Sequence, residues 1–487
     1  MKNIKNITVL SVLILTLWAC TDYVDYDPIE NYEITADVYF EAPGDYEAAV
    51  IGTYDPLQWM YLNILIGDIA SDNSLSGGES ATDVIGLQQI DDMTHNPSND
   101  NLTSIWKWCY EGINRANYLE ENKDKIDFDG KEALYGEVYF LRAYYYFELV
   151  KFFGRVPLTT ESRLTASDSG TLQRASTAAD VYAQIELDLN NAILVLPGSV
   201  SAKGRVSIHA ARALLGKVYL YQDKFTDAAS EFEKVIGVYG LVDEYGDQFL
   251  KTGENGSESV FEVQHTNTSE WYDWGFVPQG TEGNFGVIHN GPRAFSGPTY
   301  ASGWSFNVPT AALFDSFQDG DSRRDASILD IVAFADETGA GYAEGYKHTG
   351  YFNNKYIPRG GESGAQTELN YLTNYRSIRY ADVLLMAAEA NNRSGDDVDA
   401  QLYLNTVRRR AFGDTDHDIT STGSSLTQAI WDERNFELSM EGHRFFDLVR
   451  TGQAADKIDG FVAGKHELFP IPQQEVDISE LEQNPGY

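Results

Sequence analysis

Paired helical patterns constrain this chain more than any other feature. Apolar residues recur at helical spacing over residues 208–221, a short Gln222-Asp-Lys-Phe225 turn follows, and a second helical pattern runs over 226–238. Ala211, Gly216, Ala228 and Ala229 are small enough to let two such helices approach closely. The arrangement repeats at 379–392 with 398–411. It occurs once more at 101–122 with 130–153, where Gly154 closes the second helix and Pro157 forbids its continuation. Residues 45–61 read as a further helix, and the Gly67-Asp68-Ile69-Ala70-Ser71-Asp72-Asn73 stretch breaks the pattern.

A hairpin cannot bury its apolar face alone, so these hairpins are expected to stack in the manner of tetratricopeptide repeats. The fold class that follows is mainly α: stacked tetratricopeptide-like helical hairpins with a large loop-rich insertion, at about 240–376, containing a few short strands. Residues 74–100, rich in Gly, Ser, Asn and Asp and free of aromatics, read as a polar loop. Within the insertion, residues 271–306 hold nine aromatics and seven glycines. Glycine favours irregular, surface-lying chain, so aromatics concentrated there point to a binding face rather than a core.

Residues 425–452, SLTQAIWDERNFELSMEGHRFFDLVRTG, place Ile430, Arg434, Glu437, Leu438 and Glu441 at spacings of three and four, with a stop at Gly442. Glu433, Glu437, Glu441 and Asp447 could be paired catalytic carboxylates. Interleaved with Trp431, Phe436, Phe445, Phe446 and Leu448, they read better as ion-paired groups that lock a helix onto a core.

The run E-R-x-x-E-L-x-x-E-G-x-R-x-x-D-L-x-R-T-G, Glu433 to Gly452, resembles the C-terminal signature of the SusD/RagB family of outer-membrane glycan-binding lipoproteins. Residues 141–158 (LRAYYYFELVKFFGRVPL), 377–391 (SIRYADVLLMAAEAN) and 468–487 resemble that family in order, as do Phe314, Phe317, Asp321 and Arg323 against its F-x-x-x-D-x-R pattern. The resemblance implies a cell-surface lipoprotein that captures a polysaccharide or oligosaccharide and delivers it to a SusC-like TonB-dependent transporter, acting as its lid and breaking no bond. No cofactor is expected, and the partners are the glycan, the transporter and the outer membrane.

Lys2 and Lys5 precede an apolar run, 7–17, too short to span a bilayer, and Leu17-Trp18-Ala19-Cys20 resembles a lipobox. Residues 1–19 are therefore expected to be a lipoprotein signal peptide, with Cys20 lipidated and 20–43 an acidic tether to a single domain over 44–487. Cys109 is then left without a partner in a chain of two cysteines, which excludes a disulfide framework. A net charge of −38 argues against nucleic acid and against polyanionic ligands.

The eight histidines show no metal-binding spacing, no G-x-S-x-G elbow occurs, and Asp414-Thr-Asp416-His-Asp418 lacks the glycine and glutamate of an EF-hand. Aromatic rings suit sugars because the axial C–H face of a pyranose is apolar and its hydroxyl rim polar. Trp271, Tyr272 and Trp274 are the first candidates for such a platform, with Phe285 and Trp304 next. Asp72 and Asn73 are candidate hydroxyl partners, and Trp59 reads as core. A neutral glycan such as a β-glucan fits the charge. The competing readings are a peptide- or protein-binding scaffold and, further behind, a glycoside hydrolase.

Overall fold

The computed structural model describes residues 39–165, 168, 172–268, 282–364 and 367–487. Twelve helices carry the architecture: α1 (Pro43–Tyr54), α2 (Tyr61–Ile69), α3 (Ile85–Asp91), α4 (Asp100–Glu121), α5 (Lys131–Phe153), α6 (Ala178–Val195), α7 (Ile208–Leu220), α8 (Phe225–Glu233), α9 (Tyr380–Ser394), α10 (Asp397–Phe412), α11 (Gly423–Glu437) and α12 (Arg444–Arg450). From α4 to α10 each helix lies against the next, and α9 also packs on α11. The stack passes directly from α8 to α9, so the insertion between them leaves the helical array unbroken. Small residues act as expected: a Cβ at Gly216 would lie 2.5 Å from the Phe232 ring, so the close approach of α7 and α8 requires glycine.

Helix α6 has no counterpart among the sequence-expected helices. Its Thr177 and Asp180 form a reciprocal capping box, and Val181, Ile185, Leu189 and Ala192 are buried along one face. The polar stretch 74–100 is more ordered than its composition implies. It contains β1 (Ser74–Ser76) and α3, whose Leu87 and Ile90 enter the main core.

Among the described residues, five two-stranded antiparallel pairs hold the insertion. The remaining strands are β2 (Ser259–Val263), β3 (Arg293–Ser296), β4 (Asn307–Pro309), β5 (Ile328–Asp330), β6 (Gly341–Ala343), β7 (Tyr351–Asn353), β8 (Ser363–Gly364), β9 (Thr367–Tyr371) and β10 (Tyr375–Arg379). Pairing β1 with β4 brings the stretch after α2 to the insertion, and pairing β10 with β2 joins the insertion's two ends beneath α9.

A lattice of buried charge ties insertion to scaffold. Arg379 donates to Glu437 at 2.6 Å, to Glu441 at 2.8 Å and to Glu258 at 2.9 Å. Arg323 reaches Asp321 and Glu433 at 2.6 Å, while Arg408 and Arg410 reach Glu433 and Glu437 at 2.5 Å. Lys355 donates to Glu441 at 2.7 Å. Burial by itself would raise the Glu437 carboxyl, but Arg410, Arg379 and Arg323 outweigh it and hold that group well below the usual carboxylate range. Beside these acids on α11, Arg434 bonds Asp382 at 2.8 Å and shares Asp447 with Arg450. The acidic residues of the C-terminal signature are thus structural groups, paired with arginines from three other segments and, at Asp447, with Arg434 and Arg450 of the signature itself.

Beside this lattice, α2 meets the turn after α11 backbone to backbone. A Cβ at Gly67 would sit 2.0 Å from the Gly442 carbonyl oxygen, and Gly442 itself has φ +81°. The neighbouring Asp68 carboxylate, wholly buried, accepts from the Gly442 amide at 2.8 Å and from Asn307 at 2.9 Å. Burial pushes its pKa up to about 7.

Candidate functional site

The aromatic segment of the insertion folds around a knot of rings centred on Phe285. Its ring meets Tyr61 edge-on at 5.0 Å, His289 at 5.0 Å and Trp304 at 5.5 Å. Tyr61 in turn stacks on His289 at 5.1 Å. Burial pushes the His289 pKa down to about 4, so its ring is neutral and bonds the Phe285 carbonyl through Nδ1 at 3.1 Å. Phe285 is only 7% exposed, which corrects its reading as a stacking ring: it plugs the insertion onto the N-terminus of α2. Trp304 is half-buried and lies nearly perpendicular to the Phe285 and His289 rings of this knot.

Further along, Phe295 and Tyr300 are half-buried, edge to face at 6.1 Å, and Tyr300 lies 5.1 Å from Phe334. The Tyr300 hydroxyl donates to Asn354 at 3.1 Å. Ala294 (φ 48°), Thr299 (φ 71°) and Ser305 (φ 52°) adopt the left-handed conformation within this short stretch. Non-glycine residues are held there at a cost of order 1–3 kcal/mol each, a strain that concentrates at functional surfaces.

Asp72 and Asn73 take other roles. Both oxygens of Asp72 are held by Arg444, at 2.7 and 2.8 Å. Asn73 is 2% exposed and donates to Asn435 at 2.8 Å, so a side chain expected to meet hydroxyls instead pins the end of α2 to α11. Trp59 is buried, as its helical position implied. Trp271, Tyr272, Trp274 and the lipidation candidate Cys20 lie outside the described residues. What flanks the first three is fixed: Thr266 donates its amide to the Glu282 carbonyl at 2.8 Å, so the chain leaves and re-enters the fold at one place.

Among the described residues no group of three or more His, Cys, Asp and Glu could hold a metal ion. The Asp414–Asp418 run is occupied internally, His417 bonding Asp414 and Arg409 bonding Asp418. No helix of the described residues is long and apolar enough to cross a membrane.

Family models match two parts of the chain: residues 330–487 fit the SusD family, and residues 47–220 fit a family described as starch-binding and associating with the outer membrane. The structure also superposes on a laminarin-binding SusD-like protein with a TM-score of 0.84 and 39% identity, covering 92% of this chain and 100% of that one. The chain belongs to the SusD family. Other SusD relatives include the SusD-like protein P2 of Formosa agariphila, 27% identical over 98% of each chain. A surface glycan-binding protein A from Bacteroides thetaiotaomicron, solved with laminarihexaose, is 28% identical with a TM-score of 0.79, covering 91% of this chain and 99% of that one. The fold expected from the paired helices and signature motifs is the fold these relatives share.

Proposed function

We propose that this SusD-family protein is a surface lipoprotein that captures a neutral glycan of the laminarin class and hands it to a SusC-like transporter without cleaving it. The observation that carries the substrate class is the 39% identity, over the whole of its length, to a laminarin-binding relative. The half-buried Phe295, Tyr300 and Trp304 support it, because partly exposed aromatic rings suit the apolar faces of pyranoses. The −38 charge supports a neutral rather than an anionic polymer. In this reading Trp271, Tyr272 and Trp274 extend the same platform, and Cys20 carries the lipid.

The test is native affinity electrophoresis of the full chain through gels containing laminarin or alginate, with laminarihexaose titrated in parallel. Laminarin is expected to retard the protein and alginate to leave it unaffected. Trp304→Ala is expected to weaken binding about tenfold, the equivalent of about 1.4 kcal/mol. No retardation by laminarin and no heat with laminarihexaose would refute the substrate class. Release of reducing ends from bound laminarin would refute the non-catalytic reading.

A further inference from the structure

A cleft of about 460 Å³ opens between α1, the turn that follows it, the segment before α7, and β2. Its volume falls within the range of about 300–1,000 Å³ typical of small-molecule sites. Leu57, Phe261 and Val263 give it an apolar floor. Two of its charged wall residues are already neutralised from within. Arg205 is clamped by Glu137 at 2.6 and 2.8 Å and also bonds Glu47, while Asp55 is held by Arg115 at 2.6 Å.

Of the other charged wall residues, Glu262 faces Arg376, Glu282 accepts from Gln58, and Lys203 is exposed. Gln58 donates its Nε2 to the Gln264 carbonyl at 2.8 Å and to Glu282 at 3.1 Å, leaving its Oε1 without a bond among the described residues. An apolar floor between neutral hydrogen-bonding groups matches a polyhydroxylated, uncharged molecule. A charged ligand would find no unpaired counter-charge at Arg205 or Asp55. The interior cavity that shares Leu57, Gln58 and Val263 with the cleft is about 50 Å³, room for a few waters and no sugar.

We propose that this cleft is a second carbohydrate subsite, distinct from the aromatic surface around Trp304, that holds a short segment of neutral oligosaccharide. The ligand class rests on the glycan-binding reading above; the location does not. Gly52 gives a direct test, because it lines the cleft and a Cβ built on it meets nothing within 4 Å. Gly52→Trp should therefore fill the cleft without disturbing the core, and replacing a helical glycine favours the helix.

The experiment is hydrogen exchange on the full chain in detergent with saturating laminarihexaose, beside calorimetric titration of wild type, Gly52→Trp and Trp304→Ala. In wild type, amides of 51–58 and 261–264 are expected to slow by at least about threefold, together with those of 300–306. Gly52→Trp should lose protection only at the cleft, and one of two binding events, with an unchanged Tm. Protection at 300–306 without protection at 51–58 and 261–264 would overturn the second subsite and leave the function standing. Protection nowhere, with no retardation by laminarin, would overturn both. If Gly52→Trp fails to fold, the wild-type exchange map decides alone.

Discussion

Arg379→Met removes the cation at the centre of the buried lattice and replaces it with a side chain of similar length. Arg379 makes three bonds to the carboxylates of Glu437 and Glu441, one to Glu258, and one to the Glu437 carbonyl. Arg410 and Lys355 remain to share the acids, so the loss is partial rather than total. Breaking a buried pair by removing one partner costs about 3–5 kcal/mol, because a desolvated charge is left behind. Unfolding entropy of about 2.1 cal/mol/K per residue makes each kcal/mol worth only about 1 °C in a chain of this length, so denaturant midpoints are the better readout.

The pH dependence separates this account from simple loss of packing. In wild type Glu441 sits below its ordinary value, since Arg379 and Lys355 outweigh the burial that would raise it. Its contribution is present above the unfolded pKa of about 4.3 and is lost only as pH falls through the lower folded value. Without Arg379, burial pushes the carboxyls up instead. The folded variant then gains protons more readily than the unfolded chain, and its deficit shrinks as pH falls from 7.5 towards 5. Urea unfolding at the two pH values measures this, and adding Glu441→Gln should restore part of the loss at pH 7.5. A deficit below about 1 kcal/mol, or one indifferent to pH, would refute the reasoning.

Three further outcomes follow from the same region and the core. Gly67→Ala drives a methyl into the Gly442 carbonyl and should cost about 1–3 kcal/mol or more in urea unfolding, whereas Gly44→Ala, where a Cβ meets nothing, should cost little. Asp68, raised to about 7 by burial, destabilises the fold progressively as pH rises from its unfolded value of about 3.9 through 7. The stability of Asp68→Asn relative to wild type should therefore improve between pH 5 and 8, and a flat difference would contradict the buried-charge assignment. Cys109 is fully buried with its thiol pKa raised by that burial, so a Cys20→Ser chain should react with a thiol reagent only on unfolding.

Helical spacing made most of the stack legible because each hairpin carries its own punctuation, as Gly154 and Pro157 do after α5. Helix α6 escaped because its signal is local and weak: a Thr177–Asp180 cap ahead of apolar residues mixed with exposed Leu187 and Leu194. The C-terminal signature announced ion pairing, yet its partners Arg323, Arg379, Arg408 and Arg410 are supplied by distant segments that spacing cannot connect. Composition singled out an aromatic stretch but could not sort its rings. Phe285 and Trp304 share one glycine-rich stretch, and only tertiary packing makes the first a plug and leaves the second half-open. Asp72 and Asn73 looked like free polar groups because Arg444 and Asn435 lie more than 350 residues away in sequence.

The buried lattice also imposes an order of events on the nascent chain. Arg323, Lys355, Arg379, Arg408 and Arg410 are all synthesised before residues 433–441, which carry the shared acids Glu433, Glu437 and Glu441. In a chain that emerges N-terminus first, Arg323 has only Asp321, Arg379 and Arg410 have only Glu258 between them, and Lys355 and Arg408 have no carboxylate of the lattice until those acids arrive, so burying the five together is costly before then. The insertion therefore cannot dock permanently on a half-made scaffold, and a chain cut short before residue 433 cannot pass for a finished one.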